Sequence, residues 1–307
     1  MIAAAAALFA LLVAPPPPTP ATCAHLQLHN QTAAAQACYQ SLAASPDPYL
    51  QAEGDWGLEL YAQANDAFRA AVGQADSRAA GAAGSAEAKA HAVLYRVRWG
   101  RLLQSRFNDP DAEGLFQEAL QRDPASAGAC LGLALVSADG FDGKALTYAH
   151  KAAALDPALA EAHLLLASLA LEDSDPASAS AEADLALQAQ PDDLDAMALH
   201  AAIEVLALRP PDAWLSRIAA INPAYGEADA IVADQLVLNR RYDEGVAYYR
   251  KAVALDPELW PAHSALGITL MRLGQEQEPR TELELAYNHD YRDAATVNSL
   301  RLFDSYK

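Results

Sequence analysis

A proline recurs at nearly constant spacing along this chain of 307 residues, and this regularity limits the folds that the chain can adopt. The intervals between successive prolines are 33, 34, 32 and 34 residues, and each proline follows Asp, Asn or Gln. Proline cannot continue a helix, because its ring removes a hydrogen bond and clashes with the preceding turn. These residues are Pro124, Pro157, Pro191, Pro223 and Pro257. Five helix-ending residues at one period predict a structural repeat of about 34 residues.

Three small or aromatic residues recur at helical spacing ahead of most of these prolines. In residues 241–270 they are Gly245, Tyr249 and Ala252, which share one helix face because 3.6 residues complete a turn. The pattern predicts an equivalent buried stripe at Ala112, Phe116 and Ala119, at Ala145, Ala149 and Ala152, at Ala179, Ala183 and Ala186, and at Pro279, Leu283 and Ala286.

One unit, residues 191–223, departs from this pattern. Pro210, Pro211 and Trp214 stand where the other units have small residues. Because proline and a large ring both prevent close helix packing, we expect this repeat to be bent or packed differently.

The helix that follows Pro257 carries Leu266, Gly267 and Leu270, with the glycine where a larger side chain would hold two helices apart. This stripe, the period and the terminal proline resemble the tetratricopeptide repeat, a helix–turn–helix unit of 34 residues. The resemblance implies an all-α fold in which stacked helix pairs form a right-handed superhelical solenoid. The composition agrees, because 52% of the residues are hydrophobic but only 7% are aromatic, and close helix packing needs small side chains.

We expect one extended domain with five segments. Residues 1–22 are predicted to be a signal peptide with a proline-rich segment, and residues 23–78 degenerate N-terminal helical repeats. A Gly, Ala and Ser cluster predicts a flexible joint at 79–90. The tetratricopeptide array follows at 91–296, and residues 297–307 are predicted to be a terminal helix that leads into a further C-terminal domain.

The N-terminal sequence predicts export to the periplasm or the extracellular space. Residues 2–13 are an unbroken apolar run, too short to span a bilayer but typical of a secretory signal, although no Lys or Arg precedes it. Cys23 and Cys38 flank a predicted short helix at 26–36 and are a candidate disulfide in an oxidising compartment. Cys130 lies in an apolar helix and is expected to be a buried thiol without reactivity.

The sequence indicates neither nucleic-acid binding nor catalysis. A net charge of -19 disfavours phosphate backbones and anionic membranes, which require clustered Lys and Arg. His25 and His29 are four residues apart, but Leu26 stands where the helix of a zinc peptidase carries Glu. We therefore expect no catalytic residue, no metal ligand and no small-molecule cofactor, and no stoichiometric zinc binding.

In tetratricopeptide arrays the first helix of each repeat lines a concave face, and the resemblance places a protein-binding surface there. The residues predicted on this face are Arg98, Arg101, Leu131, Leu135, Leu164, Leu171, Ala198, Val205, Val237 and Ile268. Some of them are expected to pack between helices instead. The expected partner is a protein or peptide, or a C-terminal domain of the same protein.

Residues 266–307, with the ending VNSLRLFDSYK, resemble the junction in exported bacterial proteins that carry tetratricopeptide repeats ahead of a peptidase-MA-like zinc metallopeptidase domain of the gluzincin kind. In that family the His-Glu-x-x-His helix comes later, so no catalytic residue can be assigned to this chain. Three hypotheses follow: a non-catalytic binding scaffold, the substrate-presenting N-terminal region of a longer metallopeptidase, or a periplasmic adaptor for envelope assembly.

Overall fold

The computed structural model describes residues 17–81, 85–140, 142–275, 277–289, 291 and 293–305, so most of the predicted signal segment lies outside the described residues. All regular structure in these residues is helical. The helices are α1 (Pro20–Leu28), α2 (Thr32–Ala43), α3 (Pro48–Gly57), α4 (Tyr61–Ala80), α5 (Ala86–Ser105), α6 (Asp109–Arg122), α7 (Ala127–Asp139), α8 (Lys144–Leu155), α9 (Ala160–Glu172), α10 (Pro176–Ala189), α11 (Leu194–Leu206), α12 (Asp212–Ile221), α13 (Glu227–Leu238), α14 (Tyr242–Leu255), α15 (Trp260–Arg272), α16 (Gln277–Asn288) and α17 (Ala294–Ser305).

The helices form successive pairs, α1 with α2 through α15 with α16. The helices pack mainly against their neighbours along the chain, and helices that are two apart touch only weakly, except α11 and α13. This pattern of contacts defines a solenoid, in which each pair buries its apolar face against the next pair. The predicted joint at 79–90 is helical at both ends, since α4 continues to Ala80 and α5 begins at Ala86.

The predicted stripes on the second helices are buried, as the sequence indicates. Phe116 on α6 shows how the small residues act: it is fully buried between α5 and α7. A Cβ added at Gly100 or at Gly132 would lie 2.6 Å or 2.3 Å from its ring. The aromatic ring therefore fits only because glycine occupies both neighbouring helices.

The recurring prolines mark the turn from one helix pair to the next. The residue before each proline ends a helix in an extended conformation, which the proline ring imposes on its predecessor. At four of the five turns its side chain also accepts a hydrogen bond from the backbone N–H two residues later, at 2.9–3.0 Å. The acceptors are Asp123, Asp156, Asn222 and Asp256. Such a bond stabilises the turn and explains the Asp or Asn that precedes proline.

In seven of the eight pairs, the turn between the two helices uses a left-handed residue instead. Asn30, Glu59, Phe107, Ser174, Leu208, Arg240 and Gly274 have φ between 53° and 75°. At each one, the next N–H donates to a carbonyl five residues back, as Arg241 does to Leu236 at 2.8 Å. This closure satisfies the last carbonyls of the first helix.

The unit at 191–223 is packed differently, as its sequence predicts. Helix α12 has ten residues, and only Ile218 among them is buried. Helix α13 takes its place and packs directly along α11, where Val232 and Leu236 contact Ala201, Ala202 and Val205. Ten of the thirteen residues of α11 are therefore buried.

The N-terminal pair is joined covalently. Cys23 on α1 and Cys38 on α2 form a disulfide with Cα atoms 5.4 Å apart. The predicted single helix at 26–36 is wrong, because the chain turns at Asn30, which has positive φ, and so brings the two cysteines onto facing helices. Cys130 is buried, and burial raises the pKa of its thiol.

None of the described helices has both the length and the apolar character needed to cross a bilayer.

Candidate protein-binding groove

A groove of about 870 Å³ runs along the first helices of the later repeats. Its walls come from α9, α11, α13 and α15, with contributions from α7, α14 and the segment before α17. The apolar lining includes Leu135, Leu164, Leu165, Leu199, Ile231, Val237 and Leu238. Five carboxylates lie among these side chains: Glu161, Glu172, Asp195, Glu227 and Asp234.

Two of these carboxylates are oriented by tyrosine hydroxyls. Tyr225 donates to Asp195 Oδ1 and Tyr249 donates to Asp234 Oδ1, each at 2.5 Å. Desolvation by the surrounding protein raises the pKa of both carboxyl groups, and the hydrogen bonds from Tyr225 and Tyr249 oppose this shift. Burial also raises the pKa of both tyrosines, so that each hydroxyl remains a donor.

Two further carboxylates are not paired with a cation. Glu172 and Glu227 form no ion pair with any Lys or Arg within the described part of the chain. Partial burial raises the pKa of each, with Asp173 adding to the effect at Glu172. The groove therefore combines apolar surface with an excess of negative charge, since its lining has five carboxylates and one cationic side chain, Arg272.

The two arginines that the sequence predicts on the binding face both form ion pairs with acidic side chains. Arg98 donates to both carboxylate oxygens of Glu53, at 2.6 and 2.7 Å, and lies over the Trp56 ring. Arg101 forms an ion pair with Glu161. Arg98 lines a second cavity, of about 700 Å³, between the N-terminal helix pairs. Neither guanidinium adds uncompensated positive charge to the groove.

The predicted apolar residues divide into two groups. Leu135, Leu164 and Val237 line the groove. Leu131, Leu171, Ala198 and Val205 are buried in the contacts between helices, and Ile268 is half-buried on α15 outside the lining. The buried residues contribute to the stability of the repeats and offer no surface to a partner.

Sequence reasoning missed the carboxylates, although three of them follow the repeat. Glu161, Asp195 and Glu227 each stand four residues after a period proline, in the first turn of a first helix. At this position a carboxylate is favoured by the helix dipole, and repetition places the charges side by side. Acidic residues that recur at the same period as the prolines were the sequence signal that could have located these carboxylates.

No family model and no curated protein matches the sequence of this chain. Solved structures with a similar fold do exist. Yeast Tom70 superposes with a TM-score of 0.60 at 17% identity, over 89% of this chain and 56% of Tom70. A tetratricopeptide repeat protein from Parabacteroides merdae gives 0.55 at 13% identity, over 87% and 98% of the two chains. A chain of the APC/C hetero-tetramer Cut9–Hcn1 gives 0.54 at 11% identity, over 91% and 54%.

These likenesses, together with the helix pairs and their period, identify the fold as an all-helical tetratricopeptide-repeat solenoid.

Proposed function

We propose that this chain is a non-catalytic scaffold that binds a segment of another protein in its groove, and that the segment carries both apolar and basic side chains. The observation that carries this proposal is the lining of the groove, in which leucines lie among five carboxylates, and two of these, Glu172 and Glu227, form no ion pair with Lys or Arg in the described residues. Apolar contact supplies most of the affinity, while charge complementarity supplies orientation and a faster association.

The shape of the groove favours a polypeptide over a small molecule. It extends along four first helices and is open to solvent along its length, whereas sites for small ligands enclose most of the ligand surface. Its negative charge disfavours nucleic acid, whose phosphates would approach Glu161, Asp195 and Glu227. One of the similar structures, Cut9–Hcn1, is a hetero-tetramer of protein chains, which agrees with a protein partner.

We further propose that the chain works in an oxidising compartment, as the apolar N-terminal run predicts. The disulfide between Cys23 and Cys38 supports this proposal, because such bonds persist mainly outside the cytosol. Peptide mapping without reductant, on material exported by a bacterial host, is the test. Free thiols at both positions would contradict the proposal.

The metallopeptidase and envelope-adaptor hypotheses stay predictions. Both hypotheses use the same groove for binding. The first adds a C-terminal domain of the same protein, and the second adds a separate envelope protein. The binding experiment below addresses the property that they share.

The test is selection of peptides of about 12 residues from a random display library against the purified chain. We expect the selected peptides to combine leucine-like residues with Lys or Arg. Replacing Leu238, which is 58% exposed at the groove, by Lys should weaken their binding by about tenfold or more, because it removes apolar surface and repels the basic peptide. Glu172→Lys should act in the same direction.

Two matched variants control for the change in charge. Leu155→Lys alters an exposed leucine on α8, and Glu113→Lys alters an exposed glutamate on α6, both outside the groove lining. Binding should be nearly unchanged in both. Equal losses in groove and control variants, or selected peptides that are acidic, would refute the proposed site.

A further inference from the structure

Two histidines lie side by side at the C-terminal end of α1, His25 in its last turn and His29 at the residue that caps it. The imidazole centroids of His25 and His29 are 4.2 Å apart, because four residues complete about one helical turn. The disulfide of Cys23 joins this helix to α2, and Leu28 packs against apolar residues of α11. The histidine pair therefore lies on a helix whose position is fixed from two sides, which is the support that a binding site requires.

A carboxylate from a distant part of the chain faces this pair. Asp192 lies in the turn between α10 and α11, 163 residues after His29. Its Oδ2 atom is 3.2 Å from His29 Nε2 and 3.8 Å from His25 Nδ1. One ligand atom from each residue can be chosen so that all three lie within 4.8 Å of one another. No other group of His, Cys, Asp or Glu in the described residues meets that condition.

The chemistry of this group fits a borderline divalent cation. Imidazole nitrogen and carboxylate oxygen are ligands of Zn²⁺, with bond lengths near 2.0–2.1 Å, so that tetrahedral ligands lie roughly 3.3 Å from one another. Side-chain rotation of His25, which is 59% exposed, is enough to bring its nitrogen to that separation. Solvent access leaves room for a water molecule as the fourth ligand. Mg²⁺ and Ca²⁺ prefer oxygen ligands and do not fit a site with two imidazoles.

We propose that His25, His29 and Asp192 bind one Zn²⁺ ion, and that the ion links the disulfide-joined N-terminal helix pair to the turn between α10 and α11. Residues close to the histidines along the chain indicate no metal ligand, because the third member of the group, Asp192, is 163 residues away from His29. A hydrogen bond between His29 and Asp192 is the simpler account of their contact, but it leaves His25 without a role in the group. The metal accounts for all three side chains.

The experiment uses the full chain without a histidine tag, freed of metal by a chelator and titrated with Zn²⁺ by calorimetry. We expect one equivalent to bind, with Mg²⁺ unable to compete. His25→Ala, His29→Ala and Asp192→Asn should each weaken binding by about tenfold or more. Zn²⁺ should also slow hydrogen exchange in α1 of the native chain, and this effect should be absent in Asp192→Asn, since without the carboxylate the ion no longer joins the two segments.

His150→Ala and Asp243→Asn, at exposed positions on α8 and α14, are the matched controls and should bind zinc like the native chain. Circular dichroism verifies that each variant is folded. Failure of the native chain to bind one equivalent overturns the proposal. The proposal is also overturned if the histidine variants lose zinc binding but Asp192→Asn binds zinc as the native chain does. The two histidines alone would then hold the ion.

Discussion

The helix pairs α15–α16 and α11–α12 differ in how closely the second helix packs along the first. In α15–α16 the second helix packs closely along the first, and Leu283 lies fully buried against the surface that Gly267 leaves open. In α11–α12 the second helix is displaced, and α13 packs directly along α11. Trp214 of α12 then stacks on His200 of α11, with ring centroids 4.4 Å apart.

The difference shows that the size of the stripe residues decides whether a second helix can pack closely. Five residues before the period proline, regular units have alanine at 119, 152, 186 and 252, but the irregular unit has Ile218. Twelve residues before the proline, regular units have Ala or Gly, but the irregular unit has Pro211. Larger side chains hold the helix away, and α11 compensates by being apolar around most of its circumference.

The largest expected effect comes from replacing the leucine at the same stripe position in the two pairs. Leu283 of α16 and Leu215 of α12 both occupy the middle of their stripes, but Leu283 is fully buried and Leu215 only partly. Leu283→Ala should lower the local free energy of unfolding by about 3–4 kcal/mol, and Leu215→Ala by about 1–2 kcal/mol. Hydrogen exchange of α15 and α11 measures each, since stability in a solenoid is local. Equal costs would mean that α12 is as well packed as α16.

A second pair of variants examines the small residues of a regular unit. Gly132 on α7 faces the Phe116 ring, so an added Cβ must displace it, and Gly132→Ala should cost about 2 kcal/mol. Gly114 on α6 has open space around it, and Gly114→Ala should instead stabilise the chain by up to about 1 kcal/mol through helix propensity. Urea unfolding distinguishes them by the sign of the change. Stabilisation by both would show that the ring moves without cost.

Histidines in the two helix pairs should make the stability of each pair depend on pH. In the regular pair, His263 Nδ1 lies 2.5 Å from Glu282 Oε2 and its Nε2 lies 3.2 Å from the Pro257 carbonyl. His163 repeats this arrangement with Glu182 and Pro157, one hundred residues earlier. The hydrogen bond to Glu282 raises the pKa of His263 despite its burial. In the irregular pair, burial lowers the pKa of His200 although Asp184 is near.

These two shifts should change stability with opposite signs. The raised pKa of His263 stabilises the fold below about pH 6.5, and this contribution is lost as pH rises through the folded value. The lowered pKa of His200 means that its contribution is present above about pH 6.5 and is lost as pH falls. His263→Gln should therefore cost on the order of 1 kcal/mol more at pH 6 than at pH 8, and His200→Gln less at pH 6 than at pH 8. Urea midpoints at both values measure this, and slopes of the same sign would contradict it.

The fold followed from the sequence because its determinants are local and repeated. A proline at a fixed period, an Asp or Asn before it, and Ala or Gly on one stripe each act within one turn or one helix pair. The departure at 191–223 was predictable for the same reason. The packing of α13 along α11 in place of α12 was not predictable, because it depends on the fit between α11 and α13, which span some thirty residues of the chain.

The sites were less predictable because they depend on positions distant in the chain. Leu131 and Leu164 each stand seven residues after a period proline, but the first is buried and the second lines the groove, so the local pattern does not distinguish them. Asp192 reaches His29 across 163 residues, and no spacing rule relates them. Arg101 similarly meets Glu161 from 60 residues away, which removes a charge that the sequence assigned to the binding face.

The smallest expected effect concerns the left-handed residue in the turns of α15–α16 and α11–α12. The regular pair α15–α16 uses Gly274, with φ of 75°, and the irregular pair α11–α12 uses Leu208, with φ of 58° and a side chain that is 82% exposed. A side chain in this conformation costs about 1 kcal/mol, and Leu208 has no burial to offset it. Leu208→Gly should therefore stabilise the chain by about 0.5 kcal/mol after the added freedom of the unfolded chain is subtracted, and Gly274→Ala should destabilise it by about 1 kcal/mol. Thermal melts of the two variants measure the difference. If Leu208→Gly lowers the melting temperature, the side chain must contribute a contact that its exposure does not reveal, and the irregular turn would then be stabilised by more than its backbone hydrogen bonds.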